Sequence, residues 1–162
     1  MTYQNITVET KDSIATITMN RPQALNALDR QTIAELTLAV QQLERDPAVH
    51  VAILTGKGDT FCAGMDLSEI PKLTKGQADN PYMERVLKEG DVIYGAWLKT
   101  YRPTKPVILA AEGFARAGGT EILQGTDIRV AGESACFGVT EVQRGLFPMA
   151  GSTVRLRRQI PY

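Results

Sequence analysis

The chain has 162 residues, 43% of them hydrophobic and 22% charged, and its 18 basic and 18 acidic side chains cancel to a formal net charge of zero. That length and apolar content support one domain, residues 1–162, with a real core. The balanced charge leaves no electrostatic footprint for nucleic acid or an anionic membrane, and no apolar run approaches the length of a membrane span.

Residues 1–5 are polar and do not read as a secretory signal. Ile6 and Val8 precede a polar turn at residues 10–13. Ala15, Ile17 and Met19 then alternate with Thr16 and Thr18, which predicts a hairpin closed off by Arg21-Pro22. Asp29 is placed to cap a helix reaching about Arg45, with Ile33, Leu36, Val40 and Leu43 as one apolar stripe. Pro47 breaks that helix. Residues 49–54 read as a short apolar strand, ended by the turn Gly56-Lys57-Gly58-Asp59.

Residues 68–80 mix Pro71, Gly76, Asp79 and Asn80 without a clear period and read as a surface loop. Asn80-Pro81 resembles an N-cap followed by proline at the first helical position. Met83, Val86, Leu87, Gly90, Tyr94, Trp97, Leu98 and Tyr101 then recur at helical spacing up to Pro103. Such an aromatic stripe reads as core packing rather than as a cofactor contact. A strand at 107–111, a helix near 119–125 and a strand at 128–131 continue the alternation, which predicts α/β architecture. Residues 148–152 form a glycine-containing turn, and a basic helical segment at 154–160 stops at Pro161-Tyr162. A domain that stops one or two turns into a new helix leaves an apolar face uncovered. The expectation is therefore a fragment, or one piece of a longer polypeptide.

Cys62 and Cys136 fit no metal-ligand or redox spacing, so they read as buried thiols in a reducing compartment, and the cytoplasm is expected. His50 is the single histidine and has no partner motif, so Ser/His or Cys/His nucleophilic catalysis and histidine-rich metal sites are poorly supported. The chemistry-bearing stretch is Gly118-Gly119-Thr120-Glu121, set between an apolar strand and a helix, with Glu141 twenty residues further on. A Gly118 N–H at a helix start suits an anion. Two carboxylates beside a stabilised oxyanion suit proton transfer onto and off carbon. Taken singly, Glu121 is most simply a first-turn acid that complements the helix dipole, Glu141 a solvated loop residue, and Gly118-Gly119 a tight turn.

Four segments in register alter that balance. Phe61-Cys62-Ala63-Gly64-Met65-Asp66-Leu67 resembles the first signature loop of the crotonase, or enoyl-CoA hydratase/isomerase, superfamily. Lys105-Pro106-Val107-Ile108 through Gly113-Phe114-Ala115, Gly118-Gly119-Thr120-Glu121 and Asp127-Ile128-Arg129 resembles its central signature. Phe137-Gly138, Glu141, Gly145-Leu146 and Pro148 with Gly151 resemble the stretch that follows, and Asn20-Arg21-Pro22 with Ala24-Leu25-Asn26-Ala27-Leu28 resembles the opening loop. The likeness covers essentially the whole chain.

The resemblance implies a spiral of ββα units, followed in the family by a C-terminal helical trimerisation region that this chain largely lacks. It implies a coenzyme A thioester as substrate, no separate cofactor or metal, and a homo-trimer or hexamer for the full-length form. By position, the oxyanion donors would be the Met65 and Gly118 amides, and the acid/base pair Glu121 and Glu141. Glu121 would activate water, and Glu141 would protonate the α-carbon of a 2-enoyl-CoA. Substrate contacts would fall at Arg21, Ala24, Leu25, Ala27, Ala63, Asp66 and Leu67. Arg21 is more simply read as a solvated surface charge, while the alanines are equally read as generic packing and Asp66 as a turn-stabilising side chain. Asp127 reads as structural.

Ala117 stands where many members carry glycine, Arg116 where an apolar residue is frequent, Met149 within a usually small turn and Met65 where alanine is frequent. These departures leave open double-bond isomerisation, or a non-catalytic acyl-CoA-binding or assembly role, beside hydration.

Overall fold

A computed structural model describes residues 2–69 and 92–161, together with the isolated positions 71, 84 and 88. The predicted loop at 68–80 and the start of the predicted helix, with Met83, Val86, Leu87 and Gly90, lie almost wholly outside the described residues.

The architecture is α/β, as the alternation predicted. The strands are β1 (Ile6–Lys11), β2 (Ile14–Met19), β3 (Val51–Gly56), β4 (Val107–Ala111), β5 (Phe114–Arg116), β6 (Ile128–Ala131) and β7 (Cys136–Gly138). Among the described residues the helices are α1 (Arg30–Arg45), α2 (Val92–Gly95), α3 (Gly118–Gly125) and α4 (Ser152–Gln159). The main sheet has the order β1-β2-β3-β4-β6; β1 and β2 form the antiparallel hairpin and every other pair is parallel. β5 and β7 pair in a second, parallel sheet, and Cys62 bridges to Ala115 as an extension of it.

Each main-sheet strand from β3 onward is therefore followed by a short extended piece in the second sheet. β3 leads to Cys62, β4 to β5 and α3, and β6 to β7 and a 3-10 turn at Glu141–Arg144. The chain advances by one strand in both sheets with each turn of a spiral. Register explains the core. Ala15, Ala52 and Val107 lie abreast, as do Ile17, Leu54 and Leu109, and all six are buried. Burying an aliphatic side chain of the Leu or Ile kind stabilises by about 1.5–3 kcal/mol, so these rows hold the sheet together.

Two sequence expectations change on inspection. The α1 stripe is indeed buried, but so are Ala34, Glu35, Thr37 and Leu38 on its other faces. Glu35 accepts the backbone amides of Gln4, Asn5 and Ile6, so the N-terminal segment wraps a face that polarity alone would leave in water. The predicted N-cap holds: the Asp29 carboxylate accepts from Thr32 N at 2.7 Å. The helical spacing read through to Tyr101 does not. Leu98 lies at φ 51°, the Lys99 N–H donates to Tyr94 O, and the Leu98 N–H donates to Gly95 O. That pairing ends the helix with a left-handed residue at its C-terminus. Trp97 and Leu98 therefore sit in a cap rather than on a continuing helical face.

Candidate active site

The site grows from the junction of β5 with α3. Between them Ala117 adopts φ 47°, ψ −118°, a conformation that glycine reaches freely and alanine only at a cost of about 1–3 kcal/mol. Its geometry is held from both sides: Ala117 N–H donates to Gly138 O at 2.7 Å, and Ala117 O accepts from Glu121 N at 3.0 Å. The Thr120 hydroxyl donates to Ala115 O and accepts from Gly138 N–H. The first turn of α3 is thereby tied to both strands of the small sheet.

The loop at residues 62–66 packs against this junction. Cys62 N–H donates to Phe114 O, and Cys62 O accepts from Arg116 N, both at 2.9 Å. Gly64 has φ +99°, and a Cβ there would stand 2.9 Å from Ala117 Cβ and 3.4 Å from Gly118 N. A Cβ on Gly119 would come within 2.5 Å of Cys62 O. Glycine at 64 and 119 is what lets the two segments touch.

The opening loop locks on from the other side. Ala63 N–H donates to Leu25 O, Leu28 N–H to Gly64 O and Asp66 N–H to Leu28 O, while Gly64 N–H is directed at Cys62 Sγ. Every amide from Cys62 to Asp66 is thus engaged except that of Met65. The Met65 and Gly118 N–H groups donate to no acceptor among the described residues.

Glu121 lies one turn along α3 from Gly118 and is 4% exposed. Its Oε1 accepts from Ser152 N at 3.0 Å, which places the N-terminus of α4 against the carboxylate. Glu141 opens the 3-10 turn and is half-buried. Its Oε2 is buried without a hydrogen-bond partner, the kind of orphan that a water or ligand ordinarily satisfies. Burial pushes the Glu141 carboxyl above the ordinary carboxylate range, and the nearby charge of Glu121 pushes the same way, against the lowering effect of the backbone amides of Glu141 and Thr140. The structure therefore brings Glu121 and Glu141 within electrostatic reach of each other.

The other positions singled out from sequence form one interlocked rim. Arg21 is not a solvated charge: it donates to Ala27 O and lies 3.3 Å from Asp29 and 3.2 Å from Asp66. Asp66 also accepts from the Ser68 hydroxyl and amide, and that hydroxyl bond, ahead of Arg21, holds its carboxyl below the usual range. The turn-stabilising role is thus present. Ala24, Ala27 and Ala63 are half-buried, and Leu25 and Leu67 are exposed beside them. Asp127 is structural as expected, accepting from Val107 N and pairing with Arg102. Arg116 turns into the small sheet, where it donates to Cys136 Sγ at 3.1 Å and lies over the Phe114 ring. Among the described residues, no group of three or more His, Cys, Asp or Glu side chains could hold a metal ion.

Sequence reasoning missed three participants. Buried Asn26 accepts from Arg21 N and donates to Lys57 O and Thr60 O, which braces the opening loop. Trp97 donates its indole N–H to Gly118 O, and Ser152 supplies the amide to Glu121. Their partners lie 21 and 31 residues away, and no local pattern announces such pairs.

Comparison with known proteins finds relatives over nearly the whole chain. The chain is 49% identical over 157 residues to enoyl-CoA hydratase EchA19 of Mycobacterium tuberculosis, with 96% of this chain and 56% of that protein covered. It is 36% identical to a short-chain-enoyl-CoA hydratase of Clostridium acetobutylicum, covering 99% of this chain and 59% of that protein. The solved structure of enoyl-CoA hydratase EchA1 from Mycobacterium marinum superposes with a TM-score of 0.82 at 40% identity, covering 98% of this chain and 57% of that one. The chain thus spans rather more than half the length of these relatives. The model of the enoyl-CoA hydratase/isomerase family matches residues 9–162, and with the spiral and its loop junction in place the chain belongs to that family, with the crotonase fold.

Proposed function

We propose that the protein catalyses the reversible hydration of a 2-enoyl-CoA to a 3-hydroxyacyl-CoA. The observation that carries this reading is the pair of unspent amides, Met65 and Gly118, at the junction that also presents Glu121. A thioester oxygen gains charge as water adds to the β-carbon, and fixed donors in a water-poor site stabilise that charge. Loss of one such donor typically costs about 2.7–4 kcal/mol of barrier.

In this reading the substrate oxygen accepts from both amides. Glu121, anchored by Ser152 N–H, receives a proton from water as its oxygen bonds the β-carbon. The electron pair passes to the thioester oxygen as an enolate. Glu141, whose raised pKa favours the protonated form, gives its proton to the α-carbon; proton exchange through water then restores the pair. No metal or separate cofactor is required. The half-buried Ala24, Ala27 and Ala63, with Leu25 and Leu67, form the face assigned to the adenine and pantetheine of coenzyme A. Arg21 and Asp66 hold the loops that bear this face.

The relatives named above are called enoyl-CoA hydratases, which supports hydration over double-bond migration. Exposed Val142, Phe147, Met149 and Ile160 form an apolar surface for the rest of a full-length chain or a partner subunit to cover, and a homo-trimer or hexamer belongs to this reading. Free Cys62 and Cys136 suit a reducing cytoplasm. The test is product analysis with a short 2-enoyl-CoA, using the intact protein and its Glu121→Gln and Glu141→Gln variants. Water addition that falls about 10²–10⁴-fold in each variant, with acyl-CoA affinity little changed, is the expected result. Double-bond migration, binding without turnover, or near-parental turnover in either variant overturns the assignment.

A further inference from the structure

Trp97 is 6% exposed and lies along α3 from end to end. At the N-terminal end its Nε1–H donates to Gly118 O at 3.0 Å. The indole approaches so closely that a Cβ on Gly118 would stand 3.3 Å from Nε1 and 3.6 Å from Cζ2. At the C-terminal end, a Cβ on Gly125 would fall 2.5 Å from Trp97 O. One residue therefore touches the first and last residues of α3, both glycines, and fixes the helix along its axis.

Trp97 is itself held. The Arg155 guanidinium donates Nη1–H to Trp97 O at 2.9 Å and Nη2–H to Leu98 O at 2.5 Å. Arg155 lies on α4, three residues beyond Ser152, whose amide anchors Glu121. The links close a ring: α4 to Glu121, along α3 to Gly118, through the indole to Trp97, and back to α4 through Arg155. A rigid two-pronged guanidinium suits the last link, because it fixes two carbonyls at once.

We propose that Trp97, gripped by Arg155, is a positioning residue of the oxyanion site, setting the Gly118 amide in register with Glu121. This rests on the oxyanion role proposed above for Gly118. Gly118 O and Gly118 N–H flank the same α-carbon, so the indole bond fixes the residue whose amide meets the thioester. Packing alone does not require that bond: phenylalanine would fill most of the volume without the N–H. A donor misplaced by a fraction of an ångström loses transition-state stabilisation while ground-state binding through coenzyme A survives.

The experiment compares the intact native protein with Trp97→Phe and, as a second variant that keeps the indole, Arg155→Lys. The probe is a conjugated dienoyl-CoA, whose absorbance moves to longer wavelength when its carbonyl is polarised. In the parent the bound probe should show that shift, and Trp97, the only tryptophan in the chain, should change its emission on binding. Each variant should bind the probe within about two-fold of the parent, show a smaller shift at saturation, and lose about 10- to 100-fold in kcat with KM nearly constant. An undiminished shift with parental kcat in Trp97→Phe overturns the positioning role, as does the same outcome in Arg155→Lys where Trp97→Phe does not fold. Absence of any shift in the parent overturns instead the oxyanion assignment on which it rests.

Discussion

Gly119→Ala separates close backbone packing from ordinary helix propensity, because the two act in opposite directions. Alanine inside a helix is favoured over glycine by about 0.8–1.0 kcal/mol, so by propensity the variant should gain stability. Here the added Cβ would sit 2.5 Å from Cys62 O and 2.9 Å from Cys62 Cβ. Ordinary contact begins at 3.4 Å, so one side must retreat by about 0.9 Å. The nearest atom is backbone and cannot swing away, and its carbonyl already accepts from Arg116 N. Overpacking of this kind costs about 1–3 kcal/mol, which outweighs the propensity gain and leaves a net loss of up to about 2 kcal/mol. At about 2–4 °C per kcal/mol for a chain of this size, Tm should fall by several degrees. Turnover should fall further than stability suggests, by about 10²-fold, because the shift separates the loop bearing Met65 from the helix bearing Gly118. Thermal unfolding and initial rates with a 2-enoyl-CoA measure both. Gly58→Ala is the control: its φ of +84° imposes backbone strain, but its nearest neighbour is Pro22 Cβ at 3.6 Å, so it should lose stability and keep kcat. A Gly119→Ala protein with raised Tm and parental kcat would refute the reasoning.

Ala117→Gly should stabilise the protein. Relief of φ 47°, ψ −118° returns about 1–3 kcal/mol, against about 0.4–1 kcal/mol for the added freedom of the unfolded chain; denaturant unfolding that shows a loss of stability would contradict the strain. Hydration should show an alkaline limb set by Glu141. Its pKa is raised in the folded protein by burial and then by Glu121, and in the proposed mechanism the proton-bound form is the donor, so kcat for hydration should fall as pH rises through that value. The limb should be absent from the residual activity of Glu141→Gln, and a limb that survives in that variant assigns it to another group.

What was legible in the sequence was local or shared with a family. Asp29 caps α1 through an amide three residues away, and Ala15, Ile17 and Met19 alternate because β2 buries one face. Such patterns lie within one element, where spacing reports them. β5 and β7 are three residues each and show no period; only their pairing with each other and the bridge from Cys62 make them a sheet. The end of the helix at Leu98 was hidden for a related reason. Helical spacing continues past it, but a left-handed cap and the Arg155 grip on two carbonyls turn the chain. The resemblance located Glu121 and Glu141 and implied a role for each, but residue type and spacing give no physical reason to tell one carboxyl from the other.

That distinction comes from the backbone around them. Glu121 leaves a helix whose first turn is pinned to the small sheet, and the N-terminus of α4 meets its carboxylate with an amide. Glu141 stands in a 3-10 turn, with one oxygen buried and unmatched. Burial outweighs the backbone donors at the Glu141 carboxyl, so it keeps its proton more readily than one in water. An acid that holds its proton beside a fixed carboxylate is what addition of water across a polarised double bond requires. In the proposed mechanism the Ser152 amide fixes Glu121 as the group that takes the proton from water, so a change at that amide should impair hydration without altering either glutamate. Ser152→Pro removes that N–H at the first position of α4, where proline is otherwise compatible with a helix. Turnover should fall by about 10²-fold while acyl-CoA affinity changes little, because a misplaced Glu121 costs the transition state rather than ground-state binding. Parental turnover in a folded Ser152→Pro protein would mean that the amide does no more than cap the helix against a neighbouring side chain.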